Sequence, residues 1–562
     1  MNKIYRLIWN EASRAWAAVS EYAKGRGKRT VGQVVALALA SSTVVLAAPP
    51  NPPAPTQLPT GARVVAGTAN ISQTGATLAI QQSTARAAID WQSFNIGASA
   101  SVVFSQPSAS SIALNRVQGV DPSQLFGRLS ANGQVFLINP NGILFAPGAQ
   151  VDVGGLLAST LAMSTDDFMS GRYLLRGNGA DGTITNSGTL RSLPQGYVAL
   201  IAPKVVNDGT IDASRGTAAL VAANAATVDF MADGLIRIRV DEGALNAEIA
   251  NRGAIGAAGG AVLLTAKGLQ GLGRAVVNNS GIIEARTLEN RNGTITLLGD
   301  MAAGTVVVGG TLDASAPNGG NGGFIETSAA NVRITDDARV TTAAPSGKTG
   351  TWLIDPVDFT IAAGSGALTA SGIGATTLST SLGSSNVSIA TAADTAGNGD
   401  IFVNSPVSWA ANLLTLTAHR NININADFTA TSTASLALYF GQGAVAASNT
   451  SSIVTSGGAV NLPAGTGNFT TKQGSDGTVK AYRVITSLGT QGSTTTNDLQ
   501  GMRGGLNLNY ALGANIDATA TSGWNSNAGF LPVSSSFSQS FNGTFDGLAR
   551  MLHKQSDIKC LA

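Results

Sequence analysis

The stretch that decides the fold is Ile184-Thr185-Asn186-Ser187-Gly188-Thr189-Leu190, because looser copies of it recur along the chain. The copies are Val205-Val206-Asn207-Asp208-Gly209-Thr210-Ile211, Ile249-Ala250-Asn251-Arg252-Gly253-Ala254-Ile255, Val277-Asn278-Asn279-Ser280-Gly281-Ile282-Ile283 and the degenerate Val308-Gly309-Gly310-Thr311-Leu312-Asp313. Each copy reads as a strand, an Asn-x-Gly turn and a second strand. Asn and Gly suit this turn because they tolerate the left-handed backbone of a tight corner.

The spacing of these copies indicates how the strands are arranged. Their glycines, at positions 188, 209, 253, 281 and 310, lie 21, 44, 28 and 29 residues apart. These intervals predict one or two coils of a β-solenoid each, at roughly 20 residues per coil with insertions. An array of β-sandwiches, which also has short strands and turns, is the alternative.

The composition also favours many short strands. Apolar residues make up 44% of the 562 residues, charged residues 12% and aromatic residues 5%, with 68 glycines. Disordered chains have few apolar residues and a high net charge, whereas the net charge here is only +2. Small and β-branched residues between turn formers are typical of an all-β chain.

Few residues are available for metal or cysteine chemistry. Cys560 is the single cysteine, and the two histidines, His419 and His553, lie far apart in the sequence. Zinc sites and Cys/His nucleophiles need clusters that this chain lacks. We therefore expect no catalytic residue, no metal site and no cofactor.

The N-terminus reads as an export signal. Its first thirty residues hold seven basic and two acidic residues, and an apolar run then leads from Val31 to Ala48. A basic region, an apolar region and a final small-residue site together predict a signal peptide over 1–48, with a transmembrane anchor as the alternative. A proline-rich spacer follows at 49–60. The rest holds 34 − 7 = 27 basic and 32 − 2 = 30 acidic residues, so no nucleic-acid partner is expected.

Two local features refine the predicted solenoid. Terminal coils need a cap, and the segment from Val64 to Phe104 is expected to supply the N-terminal one. Asp121 and Pro122 suit the first positions of a helix, so a short helix outside the coils is predicted over Asp121–Leu129.

A family resemblance becomes visible between Trp91 and Thr160. The segment Asn132–Phe145 contains Asn139-Pro140-Asn141-Gly142-Ile143, which resembles the Asn-Pro-Asn-Gly-Ile motif of two-partner-secretion domains in the filamentous haemagglutinin family. Supporting phrases are Trp91-Gln92-Ser93-Phe94-Asn95-Ile96-Gly97, Ala113-Leu114-Asn115-Arg116-Val117 and Gly154-Gly155-Leu156-Leu157-Ala158-Ser159-Thr160. The family's second motif, Asn-Pro-Asn-Leu, is missing, as it is in a subgroup of high-molecular-weight adhesins. The long N-terminal region, with Trp9, Trp16 and a late basic cluster, resembles the extended signal peptides of type V secreted proteins.

The resemblance implies a fold, a route and a partner. It implies a right-handed parallel β-helix, with an N-terminal cap and minor extra-helical elements, over 61–310. It also implies a Gram-negative exoprotein that passes the periplasm and an outer-membrane partner pore with periplasmic recognition domains. The Asn139–Ile143 motif then has two interpretations, a structural corner between buried strands or a docking element for that pore.

The remainder of the chain is less regular. A Gly/Ser/Thr/Asn-rich β repeat region is expected over 311–547, and Asn318 to Phe324 lacks the aspartate of a calcium-binding repeat. Asp355 and Asp358 are interpreted as turn carboxylates in preference to an acid/base pair. The atypical tail 548–562 suggests a truncated or frameshifted product.

These features together predict a function without enzymatic activity. The chain is expected to be a secreted or surface-attached haemagglutinin-like adhesin. Its receptor would lie on a host or bacterial cell, with carbohydrate among the candidates. The alternatives are a β-helical polysaccharide-acting enzyme and the truncated stalk of a contact-dependent toxin.

Overall fold

The computed structural model describes residues 5–10, 15–20, 51–231, 235–270, 273–368, 370–394, 397–534 and 539–553. It divides into two units, Met1–Asn51 and Pro52–Ala562. In the first unit, strand Tyr5–Asn10 pairs antiparallel with strand Ala15–Ser20. The apolar run of the predicted signal peptide lies outside the described residues, as do residues 554–562 of the predicted tail.

Three long sheets build the second unit. Sheet 1 consists of strands Arg63–Ala66, Arg86–Trp91, Ile112–Val117, Gln134–Ile138, Gly155–Ser159, Tyr197–Ala202, Thr217–Ala222, Ala261–Ala266, Thr294–Leu298, Phe324–Ser328, Thr351–Asp355, Asn386–Ala390, Leu413–Thr417, Ser435–Phe440, Gly465–Gln473, Lys480–Ile485, Tyr510–Leu512 and Phe545–Asp546. Sheet 2 consists of Ser123–Leu125, Ile143–Phe145, Thr183–Asn186, Lys204–Asn207, Asn246–Asn251, Arg274–Asn279, Thr305–Val308, Asn331–Ile334, Gly372–Gly374, Phe359–Ala362, Ile401–Val403, Ile422–Ile424 and Ile453–Thr455. Sheet 3 consists of Ala69–Thr74, Thr77–Gln82, Ser101–Ser105, Arg128–Ala131, Gln150–Val153, Thr189–Ser192, Thr210–Asp212, Ala254–Gly256, Ile282–Glu284, Thr311–Asp313 and Arg339–Thr341.

The chain visits the three sheets in turn, so each circuit is one coil. Strands Tyr197–Ala202, Lys204–Asn207 and Thr210–Asp212 make one such coil. Each pairs in parallel with its counterpart in the next coil, for example Thr210 with Ala254. The predicted parallel β-helix is confirmed, and each interval between the repeated glycines is one coil.

The bore of the helix is filled by rows of inward side chains, one residue from each coil. In sheet 2 the row runs through consecutive register partners whose side chains have no exposed area, namely Ile184, Val205, Ile249, Val277, Val306 and Val332. Apolar burial is the main favourable term in folding, and such rows supply it continuously along the axis.

A ladder of asparagines lines the corner between sheets 2 and 3. The Nδ2 groups of Asn186, Asn207 and Asn251 each donate to the Oδ1 of the asparagine in the next coil, at 2.7 Å. Asn279 ends the ladder by donating to the backbone oxygen of Gly309 at 2.8 Å, where the degenerate fifth copy has no asparagine. All four asparagine side chains are fully buried, so each bond satisfies a polar group that water cannot reach.

An outer layer covers part of sheet 1. It consists of helix Thr165–Met169 and a three-stranded antiparallel sheet of Tyr173–Arg176, Ala225–Phe230 and Ile236–Glu242. Strand Tyr197–Ala202 is consequently buried on both faces, whereas Ala261–Ala266 alternates between buried and half-buried residues. The layer also explains the 44-residue interval in the sequence, because two of its strands are inserted into that coil.

The N-terminal edge is closed by antiparallel strands. Strand Arg63–Ala66 pairs antiparallel with Arg86–Trp91, and Ala69–Thr74 with Thr77–Gln82. These pairs end sheets 1 and 3 where parallel coils begin, within the segment predicted as the cap.

The short helix predicted over Asp121–Leu129 is wrong. The segment instead forms strands Ser123–Leu125 and Arg128–Ala131. Leu125 and Leu129 point into the bore with at most 1% exposure, and the Ser123 N–H donates to the backbone oxygen of Gly142 at 3.0 Å. Pairing with the next coil therefore overrides the local preference for a helix start.

The C-terminal coils keep sheets 1 and 2 but change their third side. On this side, sheet 3 ends and helix Ala375–Leu382 takes its place. In the coils after the helix, the side is formed by a small parallel sheet of Val407–Trp409, Phe428–Ala430 and Val460–Asn461. The remaining elements are 3-10 helices Ser365–Ala367, Gln500–Gly504 and Thr519–Gly523 and the strand pair Ile516–Asp517 and Leu552–His553. None of the helices in the described part of the chain is long and apolar enough to cross a membrane.

The asparagine ladder generates the first prediction. Asn207→Ala removes a side chain that both accepts from Asn186 and donates to Asn251, leaving buried amide groups without partners. We expect a loss of about 1–3 kcal/mol in the free energy of unfolding, measured from urea unfolding curves. Asn70→Ala, at an exposed strand position, is the matched control and should change stability by less than about 0.5 kcal/mol. Equal unfolding midpoints for the two variants would contradict a structural role for the ladder.

Candidate functional site

The phrases that carry the family resemblance lie side by side in the structure. Strands Arg86–Trp91, Ile112–Val117, Gln134–Ile138 and Gly155–Ser159 are consecutive neighbours in sheet 1, all parallel. Segments up to 70 residues apart in sequence therefore form one continuous surface at the N-terminal end of the β-helix. The outer layer covers its outward face.

Polar contacts tie these strands together inside the sheet. The Trp91 indole N–H donates to Asn115 Oδ1 at 3.0 Å, and Asn115 Nδ2 donates to the Phe136 backbone oxygen at 3.2 Å. Arg116 forms an ion pair with Asp90 at 2.8 Å, in which the Asp90 side chain is only 11% exposed. These contacts join three neighbouring strands of sheet 1 that contain parts of the phrases, so the phrases share a structural role.

Asn139 is the first residue of the predicted secretion motif. Its side chain is fully buried. Its Nδ2 donates to the Asp121 backbone oxygen and to Ser123 Oγ, both at 3.0 Å, while its Oδ1 accepts from the Asn141 N–H at 3.0 Å. The amide thus has its hydrogen bonds satisfied within the protein and joins the turn to the preceding coil.

The rest of the motif forms the turn itself. The Gly142 N–H donates to the Asn139 backbone oxygen at 3.1 Å, which closes a β-turn over Pro140 and Asn141. Gly142 has a φ of +117°, a backbone conformation that side chains rarely adopt. Ile143 then starts a sheet 2 strand, with its side chain 2% exposed in the bore.

Only the tip of this turn reaches solvent. Asn141 is exposed and Pro140 half-buried, whereas Asn139, Gly142 and Ile143 are buried. Asn141 Nδ2 also donates to the Gly119 backbone oxygen at 2.9 Å, which orients the exposed side chain. The geometry is that of a structural corner, the first of the two interpretations. A docking role for the tip stays a prediction.

Sequence reasoning missed the aromatic contacts beneath the outer layer. Tyr173 lies at the centre, with its ring centroid 5.5 Å from Phe136, 6.3 Å from Phe168 and 5.0 Å from Phe230. Tyr197 donates to Gln134 Oε1 at 2.7 Å, and burial raises the pKa of its phenol well above the ordinary value. These residues are far apart in sequence. The one available signal was the unbroken apolar run of Tyr197–Ala202, which is typical of a strand buried on both faces.

The two aspartates considered as an acid/base pair occupy different surroundings. Asp358 Oδ1 accepts from the Asp400 backbone N–H at 2.8 Å, as a turn carboxylate does. Burial, and then the Glu326 carboxylate, raise the pKa of Asp355 above its ordinary value. In the described part of the chain, no three His, Cys, Asp or Glu side chains are grouped closely enough to hold a metal ion.

Comparisons with known proteins agree with this geometry. Residues 56–314 match the family model of the TPS secretion domain, and residues 1–49 that of the Extended Signal Peptide of Type V secretion system. Two Haemophilus influenzae proteins, each named heme/hemopexin-binding protein, are 34% identical over 256 residues and 29% identical over 259 residues. These matches cover 43% and 42% of this chain but only 27% and 28% of the relatives. The crystal structure of the HMW1 secretion domain from Haemophilus influenzae has a TM-score of 0.51 at 24% identity, covering 72% of this chain and 98% of that one.

The buried amide of the motif generates the second prediction. Asn139→Ala leaves the groups that Asn139 satisfied without partners, so we expect a loss of about 1–3 kcal/mol in the free energy of unfolding. Asn141→Ala removes an exposed side chain of the same type and should cost less than about 1 kcal/mol. Urea unfolding of both variants measures the difference. Equal losses would show that burial of Asn139 does not matter.

Asp355 generates a prediction on pH. Because its pKa is raised in the folded state, the folded protein binds the Asp355 proton more tightly than the unfolded chain does. This contribution to the free energy of unfolding is complete below the unfolded pKa and is lost as the pH rises through the folded pKa. Asp355→Asn removes the cost of ionisation, so its urea midpoint should exceed that of the wild type at neutral pH. The two midpoints should converge in acid, below the unfolded pKa. A lower midpoint for the variant at neutral pH would contradict the prediction.

Proposed function

We propose that this two-partner-secretion exoprotein is a haemagglutinin-like adhesin, exported through an outer-membrane partner pore with periplasmic recognition domains. The chain crosses the periplasm of a Gram-negative cell and is secreted or exposed at the surface, as its signal peptide and TPS domain indicate. The observation that carries the proposal is the N-terminal β-helix, in which the secretion motif forms the corner at Asn139.

The export step fits the physical character of the chain. Cys560 is its single cysteine, so no internal disulfide can fold the chain prematurely before it passes a pore. Each strand of the coils pairs mainly with the coil before and after it, so folding can proceed one coil at a time. The antiparallel cap and first coils would serve as the surface on which later coils form.

The adhesin function is the second part of the proposal. The matched region spans about a quarter of the length of the curated relatives. The heme or hemopexin binding that their names state is therefore a property of those proteins. A long solenoid presents a large area of sheet faces and turns on which a partner can bind. A cell-surface receptor, protein or carbohydrate, is the partner that such a surface suits.

Pore-dependent secretion is the test of this proposal. The full chain is expressed in a Gram-negative host with and without the partner pore, and the protein is measured in the medium and on the cell surface. We expect external protein only when the pore is present. Retention in the periplasm despite a working pore would contradict the export route, and purified chain that fails to bind cells would contradict adhesion.

The two motif variants separate a corner from a docking element. If the motif acts through the fold, Asn139→Ala should lower the amount secreted several-fold while Asn141→Ala secretes normally. Immunoblots of medium and periplasm give the amounts, with the stability of each purified variant as the control. A stable Asn141→Ala protein that stays in the periplasm would indicate direct docking of the exposed tip.

A further inference from the structure

A cleft lies near the C-terminal end of the β-helix, outside the region that matches the secretion domain. Its volume is about 520 Å³, within the range of small-molecule sites. It lies between the end of strand Ser435–Phe440, the antiparallel pair Gly465–Gln473 and Lys480–Ile485, and strand Ile453–Thr455 of sheet 2. The cleft therefore forms where sheet 1 changes from parallel to antiparallel pairing.

The floor of the cleft is apolar with a hydroxyl at its edge. Phe440 and Ile453 are half-buried and pack against the core of the bore. Tyr482 is only 5% exposed, and its Oη lies 3.2 Å from Thr471 Oγ1. Burial raises the pKa of this phenol, so Tyr482 is protonated at neutral pH. The floor thus offers an apolar surface next to groups that can donate and accept hydrogen bonds.

Two lysines and one aspartate line the cleft, and a second aspartate lies on the adjoining turn. Lys472 Nζ donates to the Ser475 backbone oxygen at 2.9 Å, and exposed Lys480 forms no ion pair among the residues that the structure describes. The one lining carboxylate, Asp546, accepts from the Leu548 backbone N–H at 2.9 Å. Asp476, on the turn of the same strand pair, accepts from the Ala446 backbone N–H at 2.6 Å.

Amide and hydroxyl groups complete the lining. Gln473 Nε2 donates to the backbone oxygens of Asn449 and Ser451, at 2.9 and 3.2 Å. These bonds hold the Gln473 amide in place at the wall. Ser451, Ser452 and Thr478 add hydroxyl groups around the opening.

From this arrangement we infer that the cleft binds a sugar ring that carries a carboxylate group. The apolar floor suits the C–H face of a sugar, the hydroxyl and amide groups suit its hydroxyls, and the Lys472 and Lys480 ammonium groups suit the anion. A nucleic acid would need a longer basic track than two lysines provide. The inference deepens the proposed adhesin function, on which it rests, by naming the chemistry of a receptor.

Titration calorimetry with the full secreted chain tests the inference. The probes are sialyllactose, a hyaluronan tetrasaccharide and, as the neutral comparison, lactose. We expect at least one acidic probe to bind about tenfold more tightly than lactose, and Lys480→Gln to weaken that binding about tenfold, as loss of a charge-assisted hydrogen bond would. Lys348→Gln, at an exposed lysine outside the cleft, is the matched control and should bind as the wild type does. Tyr482→Phe, which keeps the ring but removes the hydroxyl, should weaken binding several-fold.

The outcomes separate this inference from the proposed function. Preference for sialyllactose would point to host glycans, and preference for the tetrasaccharide to uronate polymers; either supports the cleft. Equal binding of lactose, no binding of the acidic probes, or unchanged binding by Lys480→Gln would overturn it. Cell binding by both the wild type and Lys480→Gln, with no binding of the acidic probes, would leave the adhesin function standing without this cleft.

Discussion

Register between coils is the constraint on which the rest of the structure depends. A strand in this fold has neighbours only from the coils before and after it, so a slip by one residue would turn its inward side chains outward. The inward row of sheet 2 and the Asn186–Asn279 ladder at the next corner both require the same register. Burial of the apolar row stabilises the correct register. The ladder penalises every wrong register with unpaired buried amides.

The predicted secretion motif is held by the same kind of contact between coils at another corner. The buried amide of Asn139 joins the turn between sheets 1 and 2 to the preceding coil. The ladder asparagines join neighbouring coils in the same way at the corner after sheet 2. Most of the motif is therefore inaccessible in the folded protein. The corner alone accounts for the burial of Asn139, Gly142 and Ile143.

The sequence alone predicts the repeated coils and their corners better than the features that depart from the repeat. The Asn-x-Gly copies predict both the coil and the corner, because a tight turn limits which residues fit. The helix expected at Asp121 was wrong because a local capping signal carries about 1 kcal/mol, less than burial of Leu125 and Leu129 in the bore provides. The aromatic cluster around Tyr173 and the cleft at Tyr482 join residues from distant coils. No spacing rule in a single sequence brings such residues together.

The outer layer shows how the N-terminal end differs from the rest of the solenoid. Strands buried on both faces, such as Tyr197–Ala202, cannot remain soluble as an isolated coil, since their outward side chains need the covering sheet. That sheet is formed by strands from two different coils, Tyr173–Arg176 and Ala225–Phe230, so it completes only after several coils have stacked. The first coils are thus stabilised by contacts between non-adjacent segments, whereas later coils rely on their neighbours.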